Sequence, residues 1–246
     1  MVIRFLGTNG WYDTLTGNTT CVFVETAKEY IIFDAGSGFH KASGLLKKDK
    51  PIFLFLSHYH LDHVIGLHAL AKFRFRRPMD IYGPPGLAAF FREVIKQPYT
   101  APRSFLSVRL RLHEISGGVS TPEWVSCLPL KHSTLCYGYS ICREGKKIAF
   151  CTDTGTCKNL LLLAKGADLF ISECSLKPGQ INRKWPHLNP QDAAKAAVRA
   201  GVRRLALLHF DSEVYLNINE RNRALGVAKK IFKNSLACRD DAVLKL

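Results

Sequence analysis

Residues 57–63 read Ser-His-Tyr-His-Leu-Asp-His, which places His58, His60, Asp62 and His63 within six positions. Three imidazoles and a carboxylate packed so closely are costly unless something binds them. Neutral histidine nitrogens and a carboxylate oxygen suit a borderline cation such as Zn²⁺. In an extended segment side chains repeat every two residues, so His58 and His60 point the same way and can share one metal. Asp62 and His63 fall where the chain turns into a helix-like stretch, 64–70. That turn aims them at a second metal beside the first. The competing reading is a histidine-rich surface turn that binds nothing, and the spacing argues against it.

The elements that must position these groups are legible around them. The apolar run 52–56 reads as a buried strand that ends at the motif. The histidines then sit at a strand's C-terminal end, where α/β folds place their chemistry. Further strands are expected at 2–6, 21–25, 30–33, 107–115, 124–130, 146–151, 168–174 and 205–210, with an edge strand at 242–246. Helices are expected at 87–96, 156–164, 191–200 and 220–234, the third closed by Gly201. Between the first two strands, Gly7, Asn9, Gly10, Gly17 and Asn18 mark turns with positive φ. This alternation implies a layered α/β architecture. There is no repeat, low-complexity tract or linker, so one domain over 1–246 is expected.

Composition narrows the class. A chain of 246 residues with 47% hydrophobic and 22% charged residues has an ordinary globular balance. No apolar run approaches the roughly 20 residues that a membrane helix needs. The N-terminus reads as a strand and not as a signal peptide, which implies a cytoplasmic protein. The eight cysteines include no C-x-x-C pair and lie mostly in apolar runs. They read as reduced core thiols and not as a zinc knuckle. Thirty-five basic against 20 acidic residues give a net charge of +15. Such a field attracts phosphates, although a lysine-rich surface can also serve solubility alone. The segment 72–77, Lys-Phe-Arg-Phe-Arg-Arg, alternates basic and aromatic residues as a nucleic-acid surface can. A helix end with solvated arginines is the favoured reading of it. His113, alone in a strand, reads as structural.

The H-x-H-x-D-H motif after an apolar strand resembles that of the metallo-β-lactamase-fold hydrolases. Within them, Phe5-Leu6-Gly7-Thr8-Asn9-Gly10 with Gly17-Asn18-Thr19-Thr20, and Tyr82-Gly83-Pro84-Pro85-Gly86 before a helix, resemble ribonuclease Z. The resemblance runs from Phe5 to Phe210 and implies the αββα sandwich of that fold. It also implies a ligand set. His132 would be the third nitrogen donor beside His58 and His60. His209 would complete a second metal with Asp62 and His63, and Asp153 would bridge the two. Asp34, at the end of the strand 30–33, would orient a ligand histidine from behind. Ser37 stands where the family often has glutamate. Glu173 survives from a longer family stretch, and His187 precedes a helix near it. Asp62, Glu173 and His187 are therefore the expected catalytic residues. The expected cofactors are two divalent ions, Zn²⁺ first, with Mn²⁺ or Fe²⁺ accepted by the same donors.

Two metals roughly 3.5–4 Å apart lower the pKa of a shared water and clamp the attacked phosphorus or carbonyl. The spacing alone does not choose between a phosphodiester, a thioester and a lactam. Net charge, an acid pair at Glu173 and His187, and the flanking motifs favour a ribonuclease Z-like enzyme acting on RNA or tRNA 3′ ends. The alternatives are a small-molecule phosphodiesterase acting on a cyclic nucleotide or short diester, and an ester or thioester hydrolase. A basic nucleic-acid-binding protein with structural metals is disfavoured, because structural zinc sites are closed tetrahedra. One departure stands out. Ribonuclease Z carries a tRNA-gripping arm between its counterparts of His132 and Asp153, where this chain has 20 residues and only a tight hairpin at 143–147. RNA or a short diester is the expected partner, a membrane is not, and homodimerisation stays open.

Overall fold

The computed structural model describes residues 1–116 and 121–246. In chain order the strands are β1 (Val2–Gly7), β2 (Asn9–Gly10), β3 (Cys21–Glu25), β4 (Tyr30–Phe33), β5 (Ile52–Phe55), β6 (Met79–Gly83), β7 (Leu110–Glu114), β8 (Val125–Pro129), β9 (Tyr137–Arg143), β10 (Lys146–Cys151), β11 (Leu169–Glu173), β12 (Leu205–Leu208), β13 (Phe210–Asp211), β14 (Ser235–Ala237) and β15 (Val243–Lys245). The α-helices are α1 (Leu61–Val64), α2 (Leu87–Val94), α3 (Lys158–Ala164), α4 (Pro190–Ala200) and α5 (Ile218–Ile231).

The strands form a seven-stranded sheet, β15-β1-β3-β4-β5-β6-β7, and a six-stranded sheet, β14-β12-β11-β10-β9-β8. A short parallel pair, β13-β2, joins them near the site. Strand periodicity explains the layering. Ile31 and Phe33 of β4 face a core shared with Phe150 and Ile171 of the other sheet, while Tyr30 and Ile32 face outward against Phe39 and Leu67. Ala206 and Leu208 of β12 join the shared core, and Leu205 and Leu207 pack outward against the alanines of α4. Each sheet thus has apolar residues on both faces and needs a helical layer outside it. The αββα sandwich follows. At its centre, Phe33 stacks on Phe150 across the two sheets at 5.0 Å.

Within each sheet one block runs parallel, β4 to β7 and β10-β11-β12-β14. The C-terminal ends of β4 and β5 therefore point one way and those of β10, β11 and β12 share a direction, and contacts of Asp153 with His58 and His63 bring the two sets together. They deliver Asp34, His58, Asp153, Glu173 and His209 to one edge. Helix α4 is set by its caps. The Asn189 side chain accepts from Asp192 N at 2.9 Å, Pro190 opens the helix, and Gly201 at φ 63° ends it.

Three expectations are refined or corrected. The stretch 64–70 is helical as expected, but of the 3₁₀ kind: α1 stops after one turn and a 3₁₀ helix, Ile65–Lys72, follows. The cause is tertiary. Gly66 N–H donates to Ala35 O instead of to its own helix, and a Cβ on Gly66 would lie 2.1 Å from Gly36 O. In the loop 7–20, of the residues named for positive φ only Gly17 has it, while Trp11 does at 69°. Gly7 and Gly10 are instead needed for close approach, since a Cβ on Gly7 would meet Thr19 O at 1.8 Å. The expected strands at 107–115 and 124–130 shorten to β7 and β8.

Other expectations hold. Segment 72–77 is a helix exit: Phe73 is buried, Arg77 pairs with Asp49 at 2.9 Å, and Arg74 donates to the carbonyls of Ala71 and Phe73. His113 is structural, stacked on Tyr82 and 2.8 Å from Asp80. The β9–β10 connection is a two-residue hairpin turn, with Arg143 opposite Lys146 and positive φ at Glu144 and Gly145. β15 adds an edge to β1. All eight cysteines are unpaired. Among the described residues no helix is long and apolar enough to cross a membrane.

Candidate metal centre and active site

The seven residues expected to bind metal meet at the strand ends in two groups. His58, His60, His132 and Asp153 form one, and Asp62, His63 and His209 the other, each with donor atoms within 4.8 Å of one another. In the first, His132 Nε2 is 3.4 Å from His60 Nδ1. In the second, the Nε2 atoms of His63 and His209 stand 3.1 Å apart, with Asp62 Oδ2 at 3.4 and 3.2 Å. Asp153 divides its oxygens between the groups. Oδ2 faces His58 and His132 at 3.7 and 3.8 Å, and Oδ1 faces His63 and His209 at 3.2 and 3.1 Å.

Each ring is aimed by what lies behind it. Asp34 accepts from His63 Nδ1 at 2.7 Å and from Ser57 N and Oγ at 2.7 and 2.8 Å. Ser57 Oγ is in turn 3.0 Å from His58 Nδ1, so one carboxylate holds both the strand end and two ligand candidates. Ser175 Oγ lies 2.9 Å from His209 Nδ1 and donates to Glu173 Oε2 at 2.8 Å. The backbone is bent to the same purpose: Asp34, Asp153 and His209 all have φ near 50°, a region that non-glycine residues rarely enter. Ser37, in the family's glutamate position, donates instead to Asp13.

The electrostatics separate the groups. Burial keeps His58, His60 and His132 below the usual imidazole range, so they are neutral donors. Burial acts on His63 and His209 too, but the charges of Asp153 and Asp62 outweigh it and push both up. Burial would raise Asp62 and Asp153, yet His63 and His209 hold them well below the carboxylate range. In the second group each kind of side chain thus favours the charged form of the other. A divalent cation satisfies the same atoms. His58 Nε2 is buried without a hydrogen-bond partner, which leaves its lone pair free to ligate. The donor set, imidazole nitrogens with a shared carboxylate, fits divalent metal binding.

His187 stands at the rim. Its Nδ1 is 2.9 Å from both oxygens of Glu173, and the residue lines a cavity of about 330 Å³ with His60, Asp62, Asp153 and His209. Burial lowers the His187 imidazole, but the Glu173 charge prevails and pushes it up to about 9. Glu173 also accepts from Thr154 N, next to Asp153, and so ties the Glu173–His187 pair to the centre.

Sequence reasoning missed five residues here. Ser57 and Ser175 orient rings through contacts made only by folding. Gly10 backs His209, for a Cβ there would lie 2.5 Å from His209 Cε1. Trp11 and Trp185 complete the cavity wall. Only Ser57, which opens the motif 57–63, and Gly10, inside the motif 5–10, had a sequence signal.

A model of the beta-lactamase superfamily domain matches residues 29–210, and the chain belongs to that superfamily. With the histidine and aspartate centre, this makes it a metal-dependent hydrolase. The chain is 28% identical over 305 positions to ribonuclease Z of Microcystis aeruginosa, covering 98% of this chain and 94% of that one. To ribonuclease Z of Methanothermobacter thermautotrophicus it is 26% identical over 271 positions, covering 86% and 87%. An alignment of 305 positions on 246 residues means that the Microcystis protein carries residues this chain lacks. Two solved structures share the fold. The metallo-beta-lactamase fold protein YhfI from Bacillus subtilis has a TM-score of 0.81 at 19% identity, covering 99% of each chain. The short form of human tRNase Z has a TM-score of 0.79 at 24% identity, covering 100% of this chain and 99% of that one.

Proposed function

We propose that this protein is a ribonuclease Z-like endoribonuclease that hydrolyses phosphodiesters at RNA 3′ ends. The likeness to ribonuclease Z over 98% of the chain carries this reading. The centre supports it. His58, His60 and His132 would hold one divalent ion and Asp62, His63 and His209 the other, with Asp153 shared between them. Such ions supply Lewis acidity toward a phosphoryl oxygen and acidify water. Zinc suits the nitrogen-rich donors best, and manganese or ferrous iron fits the same set.

The chain's own residues do the rest. Asp62 lines the cavity, where it can take the proton of the attacking water. Glu173 accepts from His187 Nδ1, which keeps the ring charged and turns its other nitrogen, Nε2, to the reacting group. As water oxygen bonds to phosphorus and the bond to the 3′ oxygen breaks, His187 Nε2–H protonates that oxygen. The products are a 3′ hydroxyl and a 5′ phosphate. A ribose alkoxide is a poor leaving group, so the proton matters to the rate.

A cytoplasmic setting agrees with eight unpaired cysteines. The net charge of +15 favours a polyanionic substrate. The test is hydrolysis of a precursor tRNA beside bis(p-nitrophenyl) phosphate and a cyclic nucleotide, with metal content measured. Cleavage of the RNA supports the reading. Turnover of the cyclic nucleotide alone replaces it with a small-molecule phosphodiesterase.

A further inference from the structure

Two indoles that take no part in the chemistry above wall the cavity beside the histidines. Trp11 and Trp185 both line it. Their ring centroids are 6.3 Å apart and their planes 16° from parallel. Trp185 is also 5.6 Å from the His60 ring and 6° from parallel. The three flat rings make one nearly parallel series beside the first ligand group. Trp11 is 59% exposed, a large apolar face left open at the mouth of an active site.

Neither indole is a loose surface group. Trp11 is held at φ 69°, where a bulky aromatic residue is an outlier. Its backbone N–H donates to Asp62 Oδ2 at 2.9 Å, Ser212 Oγ donates to the carbonyls of Gly10 and Tyr12, and Asn9 Nδ2 donates to Tyr12 O. Strained backbone of this kind persists where its surroundings over-determine it, and it gathers at ligand clamps. The Trp185 backbone N–H donates to the Asn182 side chain at 3.0 Å, and the next residue, Pro186, packs against Gly155 beside the site. The backbone that carries each indole is thus held in place.

The charges around it are ordered. The cavity lining has no lysine or arginine among the described residues, whereas Arg183 and Lys184 stand exposed just before Trp185. Aromatic faces inside with cations outside suit a strand whose bases are unpaired and whose phosphates stay toward water. We propose that Trp11 and Trp185 form a stacking platform for a nucleobase beside the scissile phosphate. The substrate is then an unpaired RNA tail and not a bare diester. This rests on the RNA reading above and names the part of the RNA that enters.

The test has two arms. In the first, protein carrying Trp124→Phe, which removes the one tryptophan outside the cavity lining, is titrated with adenosine 5′-monophosphate and separately with ribose 5-phosphate. Indole fluorescence is followed. Saturable quenching by the nucleotide alone is expected, and Trp11→Leu and Trp185→Leu should each weaken it. In the second, a single-stranded RNA is compared with its counterpart lacking the base beside the cleavage site. The intact RNA should be favoured about tenfold or more in kcat/KM, within the usual range for one stacked base. Both leucine variants should lose that preference and Trp185→Phe should keep it, which separates stacking from a folding defect. Quenching without RNA cleavage would overturn the endoribonuclease reading and leave the platform. RNA cleavage with no base preference and no quenching would overturn the platform alone.

Discussion

His187 Nδ1 lies 2.9 Å from each oxygen of Glu173, a carboxylate buried without access to water. In the proposed mechanism this pair is the proton donor, and its value depends on the leaving group. His187→Ala should cost roughly 10²–10⁴ in rate on RNA, the usual range for a lost general acid. On bis(p-nitrophenyl) phosphate, whose phenolate leaves unaided, the loss should be far smaller. Glu173→Gln should follow the same pattern more mildly. Equal losses on both substrates, with metal content unchanged, would show that His187 holds the phosphate or the fold.

Gly10 is the second lever. A Cβ there would lie 2.5 Å from Cε1 and 2.7 Å from Nδ1 of His209, so Gly10→Ala must move the ring. Displacement of about 1 Å in an active site can cost 10²-fold. Gly10→Ala should therefore lower activity on every substrate and weaken one of two bound metals, read by elemental analysis. Full activity with two metals retained would show that His209 is not a ligand.

Asp34 sets His63 by a contact of 2.7 Å and the end of β5 by two more. Asparagine there keeps the shape and removes the charge behind the ring. Metal affinity should fall about 10–100-fold, the usual cost of losing a group that orients a ligand. Competition against a chelator measures it, with a melting curve to confirm folding.

The histidine motif was legible because its ligand candidates lie within six residues at one strand end. His132, Asp153 and His209 come from three other strand ends, and only the family resemblance linked them to it. Asp34 was legible in the same way, as a carboxylate closing a strand. The layering was legible because the strands alternate so regularly, as β4 and β12 illustrate. What stayed hidden was made by folding alone. Ser175 reaches His209 across 34 positions, and nothing local to either residue announces it. Trp11 and Trp185 look like unrelated loop residues until the sheets bring their rings together. The helix after the motif is 3₁₀ and not α because Gly66 bonds across to Ala35, a partner that local periodicity does not see.

The two-residue turn between β9 and β10 leaves no arm in the interval from His132 to Asp153. Recognition must then come from the basic surface and the cavity wall. Intact precursor tRNA should be cleaved no more than a few-fold better than a short RNA with the same 3′ tail. Affinity for either should fall steeply with salt through counterion release. A salt-independent KM would remove the electrostatic part of this expectation, and a strong preference for intact tRNA would show that another surface supplies the grip.

The most direct measurement maps the ends produced when metal-loaded protein, with its metal stoichiometry determined on the same sample, is incubated with a 3′-extended precursor tRNA. The account predicts two divalent ions per chain and cleavage at the base of the 3′ extension. It also predicts a 3′ hydroxyl on the upstream product, a 5′ phosphate on the downstream one, and loss of both with Asp153→Ala. Protein that holds two ions, turns over an activated diester and leaves the RNA intact would contradict it.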